Sequence, residues 1–323
     1  MESMFQNCSS LTSLDLSNFS TQNANLMGHL FAWCSNLKSI KFNENFKTHN
    51  VEYFDAIFEG CTKLTTIDLS SFSMEKARVC HNIFFGCNSL ESLDFSHFSS
   101  NVCQSMKNMF NGCSKLKSLD ISNFHTQDVF DMESIFQNCS LLTSLDLSNF
   151  STQNVKFMGH LFEGCSSLES LDISSFNTNL NNYMNDMFSG CAKLKSLDLS
   201  HFDTSNVLNM ANLFKGCNSL ENLNINNFNT QKVESMENMF YECSSLKSLN
   251  LRHFNTGSVN NLSFMFKDCK LLEFLDVKNF DTSNCESMRY MFSGCNELSS
   301  LDLSNFNTES VKYMDRMFYD VIN

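Results

Sequence analysis

A cysteine recurs about every 26 residues along this 323-residue chain, and this period constrains the fold more than any other feature. Of the eleven intervals between the twelve periodic cysteines, only Cys34 to Cys61 is 27 residues long. A fixed period of this length is typical of a solenoid, in which each unit buries its apolar face against its neighbours. We therefore expect residues 1–323 to form a single solenoid domain. The periodic cysteines are Cys8, Cys34, Cys61, Cys87, Cys113, Cys139, Cys165, Cys191, Cys217, Cys243, Cys269 and Cys295.

The first half of each unit has the pattern of a short strand. Leu lies three residues after each cysteine, and apolar residues lie six and eight after it, which gives C-x-x-L-x-x-L-x-L. In residues 13–17 this alternation places Leu14 and Leu16 inward and the polar residues outward. The pattern is typical of leucine-rich repeats. We predict an α/β solenoid, a leucine-rich-repeat horseshoe or right-handed superhelix of about twelve coils, with a parallel β-sheet on one face and short helices on the other.

The second half of each unit has the spacing of an amphipathic helix. Val207, Met210, Leu213 and Phe214 follow one another at i, i+3, i+6 and i+7, and Thr204 before them fits an N-cap. Gly in seven units and Asn in two immediately precede the cysteine, as expected of a left-handed residue after a helix. We therefore predict about two and a half helical turns in each unit, with the methionine-rich stripe packed in the core rather than displayed for binding.

Phenylalanine occupies two positions of the repeat, which together hold 25 of the 33 Phe residues. One lies eleven residues after each cysteine, as at Phe19, and the other lies three before it, as at Phe5. We expect two stacked aromatic columns that fill the core, rather than a surface that stacks on a ligand.

The cysteines are predicted to be buried free thiols. Their number, 15, is odd, and Val321 stands where a thirteenth periodic cysteine is due. Cys103 and Cys285 replace the Val of the helical stripe and Cys80 its first Met, so these positions require a small apolar group. A disulfide ladder is the alternative, although equivalent side chains in stacked coils point in parallel and fit an S–S bond poorly. No Cys or His cluster has metal-ligand spacing, so we predict neither a metal nor a cofactor.

The residue between the two strand leucines is Asp in nine of the twelve units, and it is predicted to point outward. Carboxylates stacked about 5 Å apart repel each other by roughly 0.8 kcal/mol in water, which a fold tolerates. Three interpretations of this column stay open. The carboxylates form a hydrated ladder that accepts hydrogen bonds from Ser, they form a surface that binds a basic or polar protein, or they bind calcium, although the compact multi-oxygen loop of a calcium site is lacking. The nine residues are Asp15, Asp68, Asp94, Asp120, Asp146, Asp172, Asp198, Asp276 and Asp302.

The acidic column is interrupted near its carboxyl-terminal end. Asn224 and Asn250 take the place of Asp, and Arg252 and Lys278 add positive charge nearby. Phe274 replaces an outward Ser. We predict that this irregular patch and the nine aspartates form a strand face that binds a protein partner.

Charge and motifs exclude several other functions. With 22 basic and 35 acidic residues the net charge is −13, which disfavours nucleic acid and anionic membranes as partners. No run of 18 apolar residues occurs, so no membrane insertion is expected. His29 and His160 recur at one repeat position, which indicates a surface position tolerant of polar residues rather than a catalyst. With no phosphate-binding glycine loop and no catalytic set of residues, we predict that the protein is not an enzyme.

The repeat resembles the BspA-like leucine-rich-repeat surface proteins. The units C-S-S-L-x-S-L-D-L-S-N-F and T-S-N-V-x-x-M-x-x-M-F-x-G-C carry the resemblance, as in residues 301–306 and 203–207, and it covers the whole chain. It implies a non-catalytic secreted or cell-surface protein that adheres to host or matrix proteins and to other cells. Residues 1–5 are already repeat sequence, and no signal peptide or anchor is visible, so a cytoplasmic location stays open. The alternative function is an intracellular scaffold or effector that binds a partner protein.

Residues 1–31 and 132–162 are nearly identical. Their offset equals five units plus the one extra residue, which indicates duplication of a five-unit block. Neither end carries a recognisable polar cap of the kind that terminal units need for solubility. The interpretations are that neighbouring sequence is missing or that the ends associate with one another.

Overall fold

The computed structural model describes residues 1–95, 98 and 102–321. The chain divides into two compact units, the first comprising Met1–Val155 and Cys165–Phe176 and the second comprising Lys156–Gly164 and Asn177–Asn323. Within each unit, successive turns of the chain pair in parallel, which makes each a β-solenoid. The predicted repeat architecture is therefore confirmed, with the differences given below.

In the part of the chain that the structure describes, eight three-residue strands form four parallel pairs, two pairs in each unit. The register is unshifted, so that Leu14 lies opposite Ile40 and Leu249 lies opposite Leu275. The middle side chain is buried in six of the eight strands, which confirms the predicted alternation, but the pairs do not join into a continuous sheet. The strands are β1 (Ser13–Asp15), β2 (Ser39–Lys41), β3 (Ser92–Asp94), β4 (Ser118–Asp120), β5 (Ser196–Asp198), β6 (Asn222–Asn224), β7 (Ser248–Asn250) and β8 (Phe274–Asp276).

The helices predicted for the second half of each unit are wrong, because none of the residues described is helical. Consecutive tight turns take their place. The Leu30 amide donates to the Met27 carbonyl at 3.2 Å, and the Cys34 amide donates to the Phe31 carbonyl at 3.1 Å. These bonds join the amide of residue i to the carbonyl of residue i−3, as in β-turns. The series of i to i−4 bonds that defines an α-helix does not form in the residues described.

Two left-handed residues in each turn of the solenoid explain why a helix does not form. They lie five residues and one residue before the cysteine, as at Ala56 with φ 55° and Gly60 with φ 69°. The seven Gly and two Asn predicted to be left-handed before the cysteine are confirmed, since all nine have positive φ. A residue in this conformation ends an α-helix, so two in four residues leave room only for turns.

The amides that a helix would use internally instead bond the next turn of the solenoid. The Phe54 amide donates to the Val79 carbonyl at 3.0 Å, and the Phe58 amide donates to the Ile83 carbonyl at 2.9 Å. Equivalent backbone bonds repeat along both units. Backbone hydrogen bonds therefore join this segment to the next turn in addition to closing the β-turns within it.

Ten parallel bridges in this segment join equivalent residues of successive turns. Four run from Leu26 to Asp131 in the first unit, and six run from Phe157 to Tyr313 in the second. The residues described thus form ten such pairings, against the twelve coils expected from the cysteines. A stack has one pairing fewer than it has turns, because a repeat at its end pairs on one side only.

Thr204 is not the N-cap that the sequence predicts. Its side chain is buried, and its Oγ1 donates to the Asn229 carbonyl at 2.9 Å and accepts from the Asn229 amide at 2.7 Å. The hydroxyl therefore satisfies one donor and one acceptor of the following turn. The same exchange occurs at Thr48, Thr126, Thr230 and Thr282.

Stacked aromatic rings form the core, as predicted. In the column three residues before each cysteine, neighbouring ring centroids are 5.2 to 6.0 Å apart and the ring planes lie within 17° of parallel. The second column is looser, with Phe228 and Phe254 6.5 Å apart. The methionines of the predicted stripe, such as Met210 and Met236, are buried and confirm the core-packing interpretation.

All fifteen cysteines are free thiols, and fourteen of them are buried. The periodic thiols are more than small apolar groups, because each from Cys34 onward donates to the Phe carbonyl of the preceding turn. Cys191 Sγ, for example, lies 3.2 Å from the Phe162 carbonyl oxygen. Burial raises the pKa of Cys61 and Cys217 to about 12. The periodic thiols therefore stay protonated and act as weak hydrogen-bond donors.

A search of the described residues for a helix long and apolar enough to cross a membrane finds none.

We expect Phe214→Ala to destabilise the fold by about 3–5 kcal/mol, because it removes a ring stacked on both Phe188 and Phe240 and leaves a cavity. The midpoint of urea-induced unfolding, followed by circular dichroism, measures the loss. Phe318→Ala is the matched control, because Phe318 is half exposed and stacks on Phe292 only. Equal losses in the two variants would contradict a two-sided stack.

We expect Thr230→Val to cost about 1–3 kcal/mol, because the isosteric side chain leaves the Asn255 amide and carbonyl without their buried partner. Thr308→Val is the control at the same repeat position, where the side chain is exposed. Urea unfolding of both variants checks the prediction. If the Thr230 variant matches the wild type, the inter-turn hydroxyl bonds do not contribute to stability.

Thiol alkylation near neutral pH should modify at most Cys8 in the folded protein and close to fifteen thiols in concentrated urea. Cys8 is the one cysteine that is not buried. The other fourteen are shielded from the reagent, and only a deprotonated thiol reacts with it. Raising the pH to 9 should accelerate alkylation of the unfolded chain, whose thiols have a pKa of about 8.5, far more than that of the folded chain. Substantially fewer than fifteen thiols in urea would indicate disulfides.

Candidate functional site

The nine aspartates follow the strand positions of both units, six in the first unit and three in the second. Eight are exposed, as predicted, and Asp276 is half-buried. Each follows an inward Leu or Ile of the strand position, so the carboxylate points away from the core. In the first unit a shallow depression on this face is lined by Asp94, Asp120 and Asp146 together with Lys117.

The aspartates have a local structural role. Asp15 Oδ1 accepts the backbone amide of Ser17 at 2.9 Å, and Asp302 Oδ1 accepts that of Ser304 at 3.0 Å. This two-residue bond closes the turn that follows the strand. The same bond is present at Asp68, Asp120, Asp146, Asp172, Asp198 and Asp276.

Asparagine performs the same role where it replaces aspartate. Asn250 Oδ1 accepts the Arg252 amide at 3.2 Å. The turn therefore requires the side-chain oxygen and not the charge. Hydrogen bonds from the Ser17 hydroxyl and amide hold the pKa of Asp15 below its usual value, and those from Ser304 do the same for Asp302, so both stay ionised at neutral pH.

The negative charge of the face is partly compensated within the first and last strand pairs. Asp15 lies opposite Lys41, and their charged atoms are 3.4 Å apart. By contrast, Asp94 lies opposite Asp120, so these two carboxylates are neighbours of like charge. Within the first unit, the face is therefore acidic at β3 and β4 and of mixed charge at β1 and β2.

The structure brings the residues of the irregular patch together on β7, β8 and the turns that follow them. Phe274 is 55% exposed, the highest value of any large apolar side chain at a strand position in the residues described. Arg252 Nε lies 3.3 Å from Asp276 Oδ2, which pairs two members of the predicted face. Lys278 is exposed and donates its backbone amide to Asp276 Oδ1. The predicted contact patch is thus one contiguous surface.

A cluster that sequence reasoning missed lies in the turn segments of the second unit. His160 Nδ1 is 2.6 Å from Glu163 Oε2 and 3.8 Å from Asp186 Oδ2. All three side chains are partly buried, and their ligand atoms lie within 4.8 Å of one another. The recurrence of His29 and His160 at one repeat position indicates tolerance of polar residues and does not predict this cluster. The sequence signal that does predict it is a His-x-x-Glu pair followed by an Asp 26 residues after the His.

The buried periodic thiols are poor candidates for a reactive site, because burial raises the pKa of Cys61, Cys165, Cys217 and Cys295 to about 12. Their sulfurs lie against backbone carbonyls of neighbouring turns. Of the residues described, His160, Glu163 and Asp186 are the one group of three side chains with metal-ligating atoms that converge. The strand face and this cluster are therefore the two candidate sites.

Comparison with known proteins identifies the repeat type. The family model described as "Mycoplasma protein of unknown function, DUF285" matches residues 1–118, 104–197, 131–251, 182–274 and 245–323. No curated protein matches the chain.

Solved structures share the fold at low sequence identity. A leucine-rich repeat protein from Bacteroides ovatus is 16% identical, with a TM-score of 0.55, and the match covers 100% of this chain and 85% of that one. A leucine rich cell surface protein from Faecalibacterium prausnitzii is also 16% identical, with a TM-score of 0.46 and coverage of 91% and 80%.

The family match and the fold shared with the Bacteroides ovatus protein agree with the resemblance to BspA-like leucine-rich-repeat proteins that the sequence suggests. Because the model matches overlap along the whole chain, the protein belongs to the DUF285 family, whose repeats here fold as a leucine-rich β-solenoid.

Proposed function

We propose that the protein is a non-catalytic interaction module that binds a partner protein through its strand face. The observation that carries this proposal is the surface around Phe274. An aromatic ring that is 55% exposed stands where other units carry a small polar residue, beside Arg252 and Lys278. Aromatic and Arg side chains of this kind dominate the binding energy of protein interfaces.

The acidic column supplies a second, separable contribution. Carboxylates of one sign aligned along a face attract a basic partner over a distance and increase its association rate. Asp94 and Asp120 serve this role best, because they lie opposite each other on paired strands of the first unit. We propose that Phe274 and its neighbours hold the partner and that the aspartates guide its approach.

The setting of this interaction is also a proposal. The resemblance to BspA-like proteins supports a secreted or cell-surface protein that adheres to host, matrix or cell-surface proteins. The alternative is an intracellular scaffold or effector, and a secretion signal encoded directly upstream of Met1 would exclude it. A single domain over residues 1–323 and end-to-end self-association both stay predictions.

The proposal predicts that Phe274→Ser lowers partner affinity about 30-fold, which corresponds to the loss of about 2 kcal/mol from an interface hot spot. Ser is the residue at the paired position of β7, so the fold is preserved. Binding is measured by biolayer interferometry against a panel of immobilised, purified matrix and cell-surface proteins. Phe130→Ser is the control, because Phe130 is 42% exposed but lies in a turn segment outside the strand face.

Replacing all nine aspartates with Asn tests the charge separately, because Asn keeps the turn bond, as Asn250 shows. We expect a slower association rate with a weaker salt dependence, and an unchanged dissociation rate. Equal binding by the wild type, the Phe274 variant and the Asn variant would exclude the strand face. Loss of binding in the Phe130 variant alone would instead place the interface on the turns.

A further inference from the structure

The His160 cluster has the composition and geometry of a metal site, and it lies outside the strand face. One imidazole nitrogen and two carboxylates from two successive turns converge within 4.8 Å. We propose that His160, Glu163 and Asp186 bind one divalent transition metal ion, with Zn²⁺ as the best fit. This inference is independent of the proposed strand-face function.

The ligand distances suit zinc with little adjustment. Zn–N and Zn–O bonds of about 2.0–2.2 Å in a tetrahedral site place neighbouring ligand atoms about 3.3 Å apart. His160 Nδ1 is now 2.6 Å from Glu163 Oε2 and 3.8 Å from Asp186 Oδ2, so each carboxylate has to shift by less than about 1 Å. Three protein ligands leave a fourth position for water. The mixture of imidazole and carboxylate favours a transition ion over Mg²⁺ or Ca²⁺, which prefer oxygen alone.

A neighbouring amide orients the imidazole. Asn185 Nδ2 lies 2.9 Å from His160 Nε2, on the side of the ring away from Glu163. With a metal on Nδ1, the ring carries its proton on Nε2, and a half-turn of the Asn185 amide brings Oδ1 to accept that proton. Gly159 accommodates this contact, since a Cβ there would lie 3.2 Å from Asn185 Oδ1.

The electrostatics of the cluster favour a cation. Glu163 and Asp186 are both partly buried, and both carboxylates lie within 3.8 Å of the same imidazole nitrogen. Two carboxylates thus share one imidazole. A divalent ion between them removes their mutual repulsion and compensates for the burial of both charges.

The duplicated block provides an internal comparison. His29 occupies the position equivalent to His160 and follows Gly28 as His160 follows Gly159. At the positions of Glu163 and Asp186, however, the first copy has Ala32 and Ala56. His29 instead contacts a single carboxylate, with its Nε2 3.1 Å from Asp55 Oδ2. The two carboxylate ligands are therefore specific to the second copy and are not a requirement of the repeat.

The test is isothermal titration of the full chain with ZnCl₂ near neutral pH. We expect one Zn²⁺ per chain, and at least about tenfold weaker binding in each of His160→Gln, Glu163→Gln and Asp186→Asn. The last two variants keep the side-chain shape, and Asn tolerates the left-handed backbone of Asp186, where φ is 57°. Unchanged circular dichroism and thermal unfolding show that each variant remains folded.

His29→Gln is the matched control and should leave Zn²⁺ affinity unchanged. Titration with Co²⁺ should give the same sensitivity to the three variants and no thiolate-to-metal charge-transfer band, because the cysteines are not ligands. Binding that survives all three substitutions, an equal loss in His29→Gln, or a thiolate band would overturn the proposal. Ca²⁺ or Mg²⁺ binding with the same affinity as Zn²⁺ would overturn the assignment to a transition ion.

Discussion

The fold depends on hydrogen bonds between successive turns, which add to the β-turn bonds within each turn. In the turn segments, alternate amides donate to carbonyls about 25 residues further along the chain, as Phe54 does to Val79. Each bond contributes about 1 kcal/mol net, so no single one is decisive, but the repeat supplies several per turn. The Thr hydroxyls and the periodic thiols extend the same principle, because both bond the backbone of an adjacent turn. This shared dependence explains why such buried positions are occupied by small polar groups.

The sequence predicts which side chains face inward but not the backbone conformation that places them there. The spacing of Met27, Leu30, Phe31 and Cys34 is that of a helical stripe, and all four are buried. A series of consecutive β-turns also buries residues at this spacing, so periodicity alone does not distinguish an α-helix from such turns. The left-handed residue directly before the cysteine is predictable, because it is most often Gly. The left-handed residue five positions before the cysteine is not predictable, because residues as different as Ala56, His160 and Phe264 occupy that position. The helix and Thr N-cap predictions failed for this reason.

For the candidate strand face, the sequence predicts which side chains point outward but not the hydrogen bonds that they form. The column of Asp and the outward Phe274 follow directly from a two-residue alternation, and the structure places them as predicted. The turn bonds made by the Asp side chains do not follow from it. Because Asn250 makes the same bond, the frequency of Asp reflects turn chemistry as well as any role of charge. The departures from the repeat, such as Arg252 and Phe274, therefore indicate function more specifically than the repeated residues do.

In a solenoid, new chemistry arises from pairs of substitutions one period apart. Stacking places residue i beside residue i+26, so His160 meets Asp186 although the two are distant in sequence. An unusual residue in one turn acquires further partners when the adjacent turn also changes near the same position. His29 contacts Asp55 and has Ala56 one period after it, whereas Asp186 lies one period after His160 and joins Glu163 as the second carboxylate. Sites in such proteins are therefore best sought by comparing columns between adjacent turns, because a scan along the chain separates the residues that the fold brings together.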